Sequence, residues 1–211
     1  MSENTKLQKL FSGKFLSFVC ILAFTWTLQT STFFRDFESD ITDFFFNLRG
    51  AIKENPNITI IEIGETELEI LGRDLSQYRF HHAQLLDALQ YYGAKTVVFD
   101  MLFYESVDFT IEDELTSEDV YIDDLFADAV RRTNFVYLAT ETLKDSDGYP
   151  TGYRPIIPPL MDAVRGIGDI SYIADEKGIV RKIEPLQKAG DKKYFHLALL
   201  GISHYLGINP K

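Results

Sequence analysis

Four polar side chains of this sequence, Glu65, Arg79, His82 and Asp100, have the chemistry to bind a small ligand or to move a proton. Glu65 and Asp100 follow apolar runs that resemble strands, whereas Arg79 and His82 lie where a helix is expected to begin. Sheets of α/β proteins bind ligands outside the carboxyl ends of their strands, so these side chains are expected to converge on one crevice. None of them is a nucleophile of the serine or cysteine type. The pattern therefore favours a binding crevice or a structural ion pair over catalysis.

Two alternatives remain at these positions. A hydrolase or transferase would use Glu65, His82 and Asp100 in an α/β crevice, which requires the three side chains to lie within hydrogen-bond reach. Asp100 can equally accept backbone N–H groups of the loop that follows it. His81 and His82 are neighbours on a helix and point about 100° apart, which makes them poor joint metal ligands. We expect His82 to pack or cap the helix and His81 to be exposed.

An acidic tract, residues 105–128, holds ten carboxylates and no Lys or Arg. Calcium binding is the functional alternative for such a tract, because hard cations prefer oxygen ligands. The tract lacks the spacing and the central glycine of an EF-hand loop, so a solvated loop leading into an acidic helix is the favoured interpretation. No metal site is predicted.

The sequence lacks the common cofactor and enzyme motifs. Gly64 is followed by Glu-Thr-Glu-Leu rather than by a glycine-rich dinucleotide loop, and no phosphate loop, nucleophile elbow or His-Glu-x-x-His is present. No cofactor and no enzymatic activity are predicted. The net charge of −11 argues against nucleic acid as a partner, since phosphate binding requires clustered Lys and Arg.

The elements that must position these residues follow an alternating pattern. Strands are predicted at 58–63, 96–101 and 135–140, and helices at 65–71, 82–92 and 121–133. This order is typical of a mainly parallel sheet covered by helices on both faces, a three-layer α/β/α fold. Residues 168–173 and 178–187 are predicted to form an antiparallel hairpin extension, with its turn at Asp175–Gly178, and residues 195–206 to form a closing helix.

The charge distribution predicts a transmembrane helix at residues 15–34. Residues 1–14 carry a balance of +2, residues 15–34 carry no charge, and the remainder carries −13. An uncharged run of this length spans a bilayer core of about 30 Å, and its basic flank places the N-terminus in the cytoplasm. Residues 35–211 are then extracytoplasmic, most simply outside a bacterial inner membrane. A cleaved signal peptide is the alternative, although no A-x-A-like site follows the run.

An apolar stripe follows the predicted span. Its residues recur at spacings of three and four and are Phe34, Phe37, Ile41, Phe44 and Leu48. Such a helix buries its stripe against its own domain or against a second copy, which makes residues 34–48 a possible homodimer interface. Two heptads are short for a coiled coil, so packing on the domain itself is slightly favoured. A purely structural envelope module that dimerises here is a further alternative.

Several motifs together resemble the second type of CHASE domain, a sensory extracellular module associated with cyclases and histidine kinases. Glu65, Leu68, Leu71 and Gly72 match "E-x-x-L…L-G". Arg79, His82, Ala83, Leu85, Leu86 and Asp87 match "R-x-x-H-A-x-L-L-D", and the match continues through Gly93–Lys95, Val97, Phe99, Asp100 and Phe103. Asp175, Gly178, Val180 and Arg181 match "D-x-x-G-x-V-R". The resemblance covers nearly the whole chain.

The resemblance implies an extracytoplasmic signal-input domain that responds to a small molecule or a physical stimulus. It also implies later membrane helices and a cytoplasmic effector such as a cyclase or kinase, so we expect a fragment of a longer protein or a sensor-only protein. Two departures fall on the predicted crevice. Gly64 stands where the family often has Asp, and Ser76-Gln77-Tyr78 replaces Trp-Pro-Trp.

Overall fold

The computed structural model divides the chain into two compact units, Met1–Glu62 and Ile63–Lys211. It describes residues 13–30, 32–72, 78–112, 119–175, 177–189 and 192–209. Most of the predicted cytoplasmic segment, residues 1–12, lies outside the described residues, as do residues 73–77 of the predicted crevice and residues 113–118 of the acidic tract.

Two helices form the described part of the first unit: α1 is Gly13–Thr30 and α2 is Thr32–Arg49. Residue 31, between them, lies outside the described residues. All five members of the predicted stripe on α2 are exposed: Phe34, Phe37, Ile41, Phe44 and Leu48. Within the described part of the chain, no helix combines the length and the apolar character needed to cross a membrane. The transmembrane helix at 15–34 stays a prediction.

The second unit mixes helices and strands. Its described helices are α3 (Glu65–Leu71), α4 (Tyr78–Tyr91), α5 (Ile122–Thr133), α6 (Pro158–Ala163) and α7 (Leu197–Tyr205). Its described strands are β1 (Val97–Phe99), β2 (Thr110–Glu112), β3 (Asp119–Tyr121), β4 (Val136–Thr140), β5 (Thr142–Lys144), β6 (Pro150–Tyr153), β7 (Gly166–Asp169), β8 (Leu186–Ala189) and β9 (Lys192–Phe195).

Local sequence explains why the long helix α5 begins and ends where it does. Asp123 and Asp124 lie in its first turn, and Arg131 and Arg132 lie in its last turn. Both pairs have the sign that complements the helix dipole. Asn134 follows in the left-handed conformation, with φ of 52°, and donates its N–H to the Val130 carbonyl at 3.1 Å. Asparagine tolerates this conformation better than most residues, so it ends the helix.

A parallel sheet in the order β1-β4-β7 forms the centre of the second unit. The prediction of a mixed α/β fold with a parallel sheet is confirmed. The predicted set of strands in the sheet is partly wrong, because Gly168 and Asp169, expected in the antiparallel hairpin at 168–173, belong to β7, which joins the sheet in parallel. The reason is α6, which the sequence interpretation missed. This short helix, which begins at Pro158, lies in the connection between β4 and β7. The chain reverses direction there, so β7 runs parallel to β4.

Residues 58–63, predicted as the first strand, form no strand in the structure. The chain turns at Pro56–Asn57, and the isoleucines Ile58, Ile60 and Ile61 that follow are exposed. An apolar β-branched run shows that a segment suits a pleated, half-buried surface. Strand formation also needs a hydrogen-bonded neighbour, and the run cannot specify that neighbour.

Helices cover both faces of the sheet. Val136 and Leu138 of β4 pack into a buried cluster built with side chains of α4, α5 and α6, among them Leu86, Phe126 and Leu160. Tyr137 and Ala139, which point to the other face, pack with Leu197 of α7. Successive side chains of β4 thus point alternately to two helical layers, because neighbouring residues of a strand point to opposite faces of the sheet.

The backbones of β7 and α7 approach closely at Gly168. A Cβ added there would lie 2.4 Å from Leu197 Cα. Only glycine fits at this point without a backbone shift.

Among the described residues, three strand pairs are antiparallel: β2 with β3, β5 with β6, and β8 with β9. The segment between β7 and β8 also turns back on itself, with an isolated bridge between Ile173 and Lys182. The predicted turn at Asp175–Gly178 is confirmed, and Gly178 has the positive φ of 76° that the turn needs.

Candidate functional site

Arg79 forms a buried ion pair at the start of α4. Its Nε contacts the Asp123 carboxylate of α5, and its Nη2 donates to the carbonyl of Glu105 in the loop after β1. The second Asp123 oxygen accepts the N–H of Val107 at 2.9 Å. Burial lowers the pKa of the Arg79 guanidinium, and Asp123 opposes that shift. The pair therefore ties α4 and α5 to the β1 loop.

His82 lies one turn further along α4 inside an aromatic cluster. Its ring centroid is 5.4 Å from that of Phe99, 5.6 Å from Phe126 and 6.1 Å from Phe103. Burial first, and then the charges of Arg79 and His81, lowers the pKa of His82 to about 4. The imidazole is therefore neutral at pH 7 and shielded from solvent, which confirms the expectation that His82 packs in the core. His81 is half-buried rather than exposed.

The structure brings Arg79 and His82 together on one face of α4, and it places Glu65 and Asp100 at the surface. Glu65 lies in the first turn of α3, and Asp100 directly follows β1. Asp123, rather than either of them, supplies the carboxylate that pairs with Arg79. A ligand-binding role for the four residues stays a prediction.

Asp123 could not be singled out from the sequence, because the acidic tract contains ten carboxylates that the sequence pattern does not distinguish. Its place in the first turn of a helix was visible, but its contact with Arg79, 44 positions earlier, depends on how α4 packs against α5. Among the described residues, no three His, Cys, Asp or Glu side chains are grouped as metal ligands.

A second buried polar cluster lies at the carboxyl end of β7. Asp169 Oδ1 accepts hydrogen bonds from the Thr142 N–H at 3.0 Å, the Thr142 hydroxyl at 2.7 Å and the Ser171 hydroxyl at 2.8 Å. Its Oδ2 accepts the Gln187 side-chain amide at 2.8 Å. Asp169 is only 1% exposed. One carboxylate thereby links the start of β5 and the end of β7 to β8.

Two tyrosines border the Asp169 cluster from the antiparallel strands. The rings of Tyr153 on β6 and Tyr194 on β9 have centroids 3.9 Å apart. The Tyr153 hydroxyl is buried and has no hydrogen-bond partner within the described chain. Burial first, and then the charge of Asp169, raises the pKa of Tyr153. The rule that ligands bind at the carboxyl ends of strands could have identified this cluster, but Asp169 was missed because residues 168–173 were assigned to a hairpin.

The residues of the "D-x-x-G-x-V-R" motif build a turn. Asp175 Oδ1 accepts the backbone N–H groups of Lys177 and Ile179, both at 2.9 Å, and its Oδ2 pairs with Arg181. The motif therefore fixes the shape of the segment between β7 and β8.

The fold and the two clusters define the second unit as a mixed α/β domain with buried polar networks. The family is more particular: a family model described as the CHASE2 domain matches residues 17–211. The chain belongs to the CHASE2 domain family, a family of sensory, non-catalytic domains of signalling proteins. No curated protein and no solved structure matches it.

Proposed function

We propose that this chain is the extracytoplasmic signal-input domain of a membrane-bound signalling protein and that it regulates a cytoplasmic effector such as a cyclase or a kinase. The family match over residues 17–211 carries the proposal, because it assigns the chain to sensory domains. The charge step supports the placement: the basic flank, the uncharged run 15–34 and the acidic remainder fit an N-in, domain-out orientation in a bacterial inner membrane.

Homodimerisation through residues 34–48 belongs to the same proposal. The support is the exposed apolar stripe on α2, in which Phe44 and Leu48 are 62% and 71% exposed. Two copies side by side would remove this surface from water, and a change in their packing would carry a signal along the helix. A monodisperse monomer of the full chain in detergent would remove this part of the proposal.

Membrane orientation is testable by cysteine labelling, because Cys20 is the only cysteine. In a Cys20→Ser background, Tyr149→Cys places a thiol on an exposed turn residue, and Ser2→Cys places one before the predicted span. A membrane-impermeant maleimide applied to intact spheroplasts should label the first thiol and not the second, and both after permeabilisation. The reverse pattern, or equal labelling before permeabilisation, would contradict the proposed placement.

Sensing itself is tested by measuring the melting temperature and oligomeric state of the full chain across small molecules, ions and pH. At least one condition should change either quantity, because a ligand that binds the folded state stabilises it. If none does, ligand sensing loses its support. No specific observation favours the hydrolase or transferase alternative, since the His82 imidazole is only 3% exposed.

A further inference from the structure

The Asp169 carboxylate is buried with neutral donors only. Its hydrogen bonds come from one backbone N–H, two hydroxyls and one amide, and none comes from Lys, Arg or His. Burial of a carboxylate is costly unless a cation or several donors compensate it. Oδ1 already accepts three hydrogen bonds, whereas Oδ2 accepts one, from Gln187. The cluster therefore retains capacity for one further donor, at Oδ2.

The nearby guanidinium is engaged elsewhere. Arg154, which follows Tyr153, lies 3.9 Å from the Glu141 carboxylate and stacks over the Tyr104 ring at 4.8 Å. Its carbonyl, rather than its side chain, enters the cluster, by accepting the Thr140 hydroxyl at 2.7 Å. Among the described side chains, no cation therefore bonds to Asp169, in a chain whose net charge is −11.

The Tyr153 side chain adds the second observation. Buried hydroxyls in folded proteins nearly always have a hydrogen-bond partner, so the unpartnered Tyr153 oxygen needs an explanation. Tyr153 pairs with Thr142 across β5 and β6, Tyr194 pairs with Gln187 across β8 and β9, and both Thr142 and Gln187 donate to Asp169. This strand pairing brings the two tyrosines to the carboxylate cluster. Aromatic faces attract cations, most strongly where water is excluded.

We propose that Asp169 and Tyr153 form a binding site for the protonated amino group of a small amine. The inference rests on the proposed sensory function and names the ligand class for it. One ammonium N–H would donate to Asp169 Oδ2, a second would donate to the Tyr153 hydroxyl oxygen, and the faces of Tyr153 and Tyr194 would complete the site. The position agrees with the rule that α/β sheets bind ligands at the carboxyl ends of their strands.

The same geometry indicates how amine binding would change the positions of the strand pairs around Asp169. Tyr153 lies on β6, whereas Gln187 and Tyr194 lie on β8 and β9, so two antiparallel strand pairs cover Asp169 from solvent. A ligand reaches a carboxylate that is 1% exposed only if these pairs separate. Binding then favours one arrangement of the pairs over another, and this differential affinity shifts a conformational equilibrium.

The test measures the melting temperature of the full chain with ammonium chloride, ethanolamine hydrochloride and putrescine dihydrochloride. Sodium chloride at matched ionic strength and glycerol are the reference solutes. At least one amine should raise the melting temperature by several degrees more than the references, since binding to the folded state stabilises it. Tyr153→Phe should weaken amine binding at least tenfold without lowering the melting temperature of the unliganded chain, and Asp169→Asn should abolish the amine effect. The matched controls are Tyr149→Phe and Asp162→Asn, two exposed positions that should retain it.

Three results would overturn the inference. One is that no amine exceeds sodium chloride; another is that the amine effect survives in Asp169→Asn or is undiminished in Tyr153→Phe. The third is that glycerol stabilises as strongly as the amines, which would assign the site to hydroxyl compounds. If Asp169→Asn fails to fold, Tyr153→Phe alone decides. The cysteine labelling pattern is independent of these measurements, so failure of the amine site and failure of the membrane placement are distinguishable.

Discussion

The two buried carboxylates of this domain, Asp123 and Asp169, are compensated in different ways. Asp123 faces a guanidinium and a backbone N–H, so its charge is balanced inside the protein. Asp169 faces only neutral donors. The Asp123 cluster is complete without any ligand and serves to join α4, α5 and the β1 loop. The Asp169 cluster carries a charge that no cationic side chain in the described part of the chain pairs with, which is the property expected of a site for a cationic partner.

The largest effect should follow from removing the cation of the balanced pair. Arg79→Met leaves the Asp123 charge buried and unpaired, and the free energy of unfolding should fall by about 3–5 kcal/mol. Urea denaturation checks this. The double variant Arg79→Met, Asp123→Asn keeps an acceptor for the Val107 N–H and should recover much of the loss. If Arg79→Met unfolds like the wild type, the pair does not have the structural role assigned to it.

A smaller, pH-dependent effect should come from His82, which lies beside that pair. Its pKa is about 4 in the folded chain and about 6.5 when unfolded, so between these values the unfolded chain binds more protons. The contribution of His82 to the free energy of unfolding is therefore fully present above pH 6.5. It is lost as the pH decreases toward 4, and the loss is at most about 3 kcal/mol.

The measurement compares chemical denaturation of the wild type and His82→Phe from pH 7.5 to 4. Phenylalanine suits the aromatic surroundings and cannot be protonated, so the variant should lose less stability over this range. Parallel curves for the two proteins would show that His82 has access to solvent and protons in the folded state.

The smallest effect should belong to the unbalanced carboxylate. Asp169→Asn keeps the shape and the Oδ1 acceptor and leaves no cation unpaired, and a flip of the Gln187 amide allows its oxygen to accept from the new Nδ2. In the absence of ligand, the free energy of unfolding should therefore change by no more than about 1 kcal/mol. Denaturation beside the Asp162→Asn control checks this. A loss as large as that of Arg79→Met would erase the contrast between the two clusters and identify Asp169 as a structural clamp.

The sequence was informative where a feature depends on neighbours along the chain. Helices at 65–71 and 121–133, the turn at Asp175–Gly178 and the buried strand at 135–140 follow from periodicity, capping and glycine placement, and the structure has them within a few residues. Features that depend on distant partners were predicted less well. The run at 58–63 has the right composition for a strand but pairs with no neighbouring strand in the structure. Residues 166–169 pair with β4, and the chain reaches that position through the six-residue helix α6.

In the candidate site, too, features that depend on sequence neighbours were predicted better than contacts with distant residues. Arg79 and His82 were predicted to lie where a helix begins, and the structure places both on one face of α4, three residues apart. Their partners Asp123 and Phe126 come from a helix more than 40 positions later, and no pattern in the acidic tract marks one carboxylate among ten. Asp169 was missed for a related reason: its significance depends on which strand it ends.

The contact at Gly168 gives the domain a mechanical property. With the β7 backbone pressed directly against Leu197, no side chain lies between strand and helix to absorb a displacement. The neighbouring residue Asp169 also pairs with His196 through the backbone, in an isolated parallel β-bridge. The His196 ring caps α7 by accepting the Ala198 N–H at 3.2 Å. We therefore expect a displacement of the β7 end to be passed directly to the start of α7.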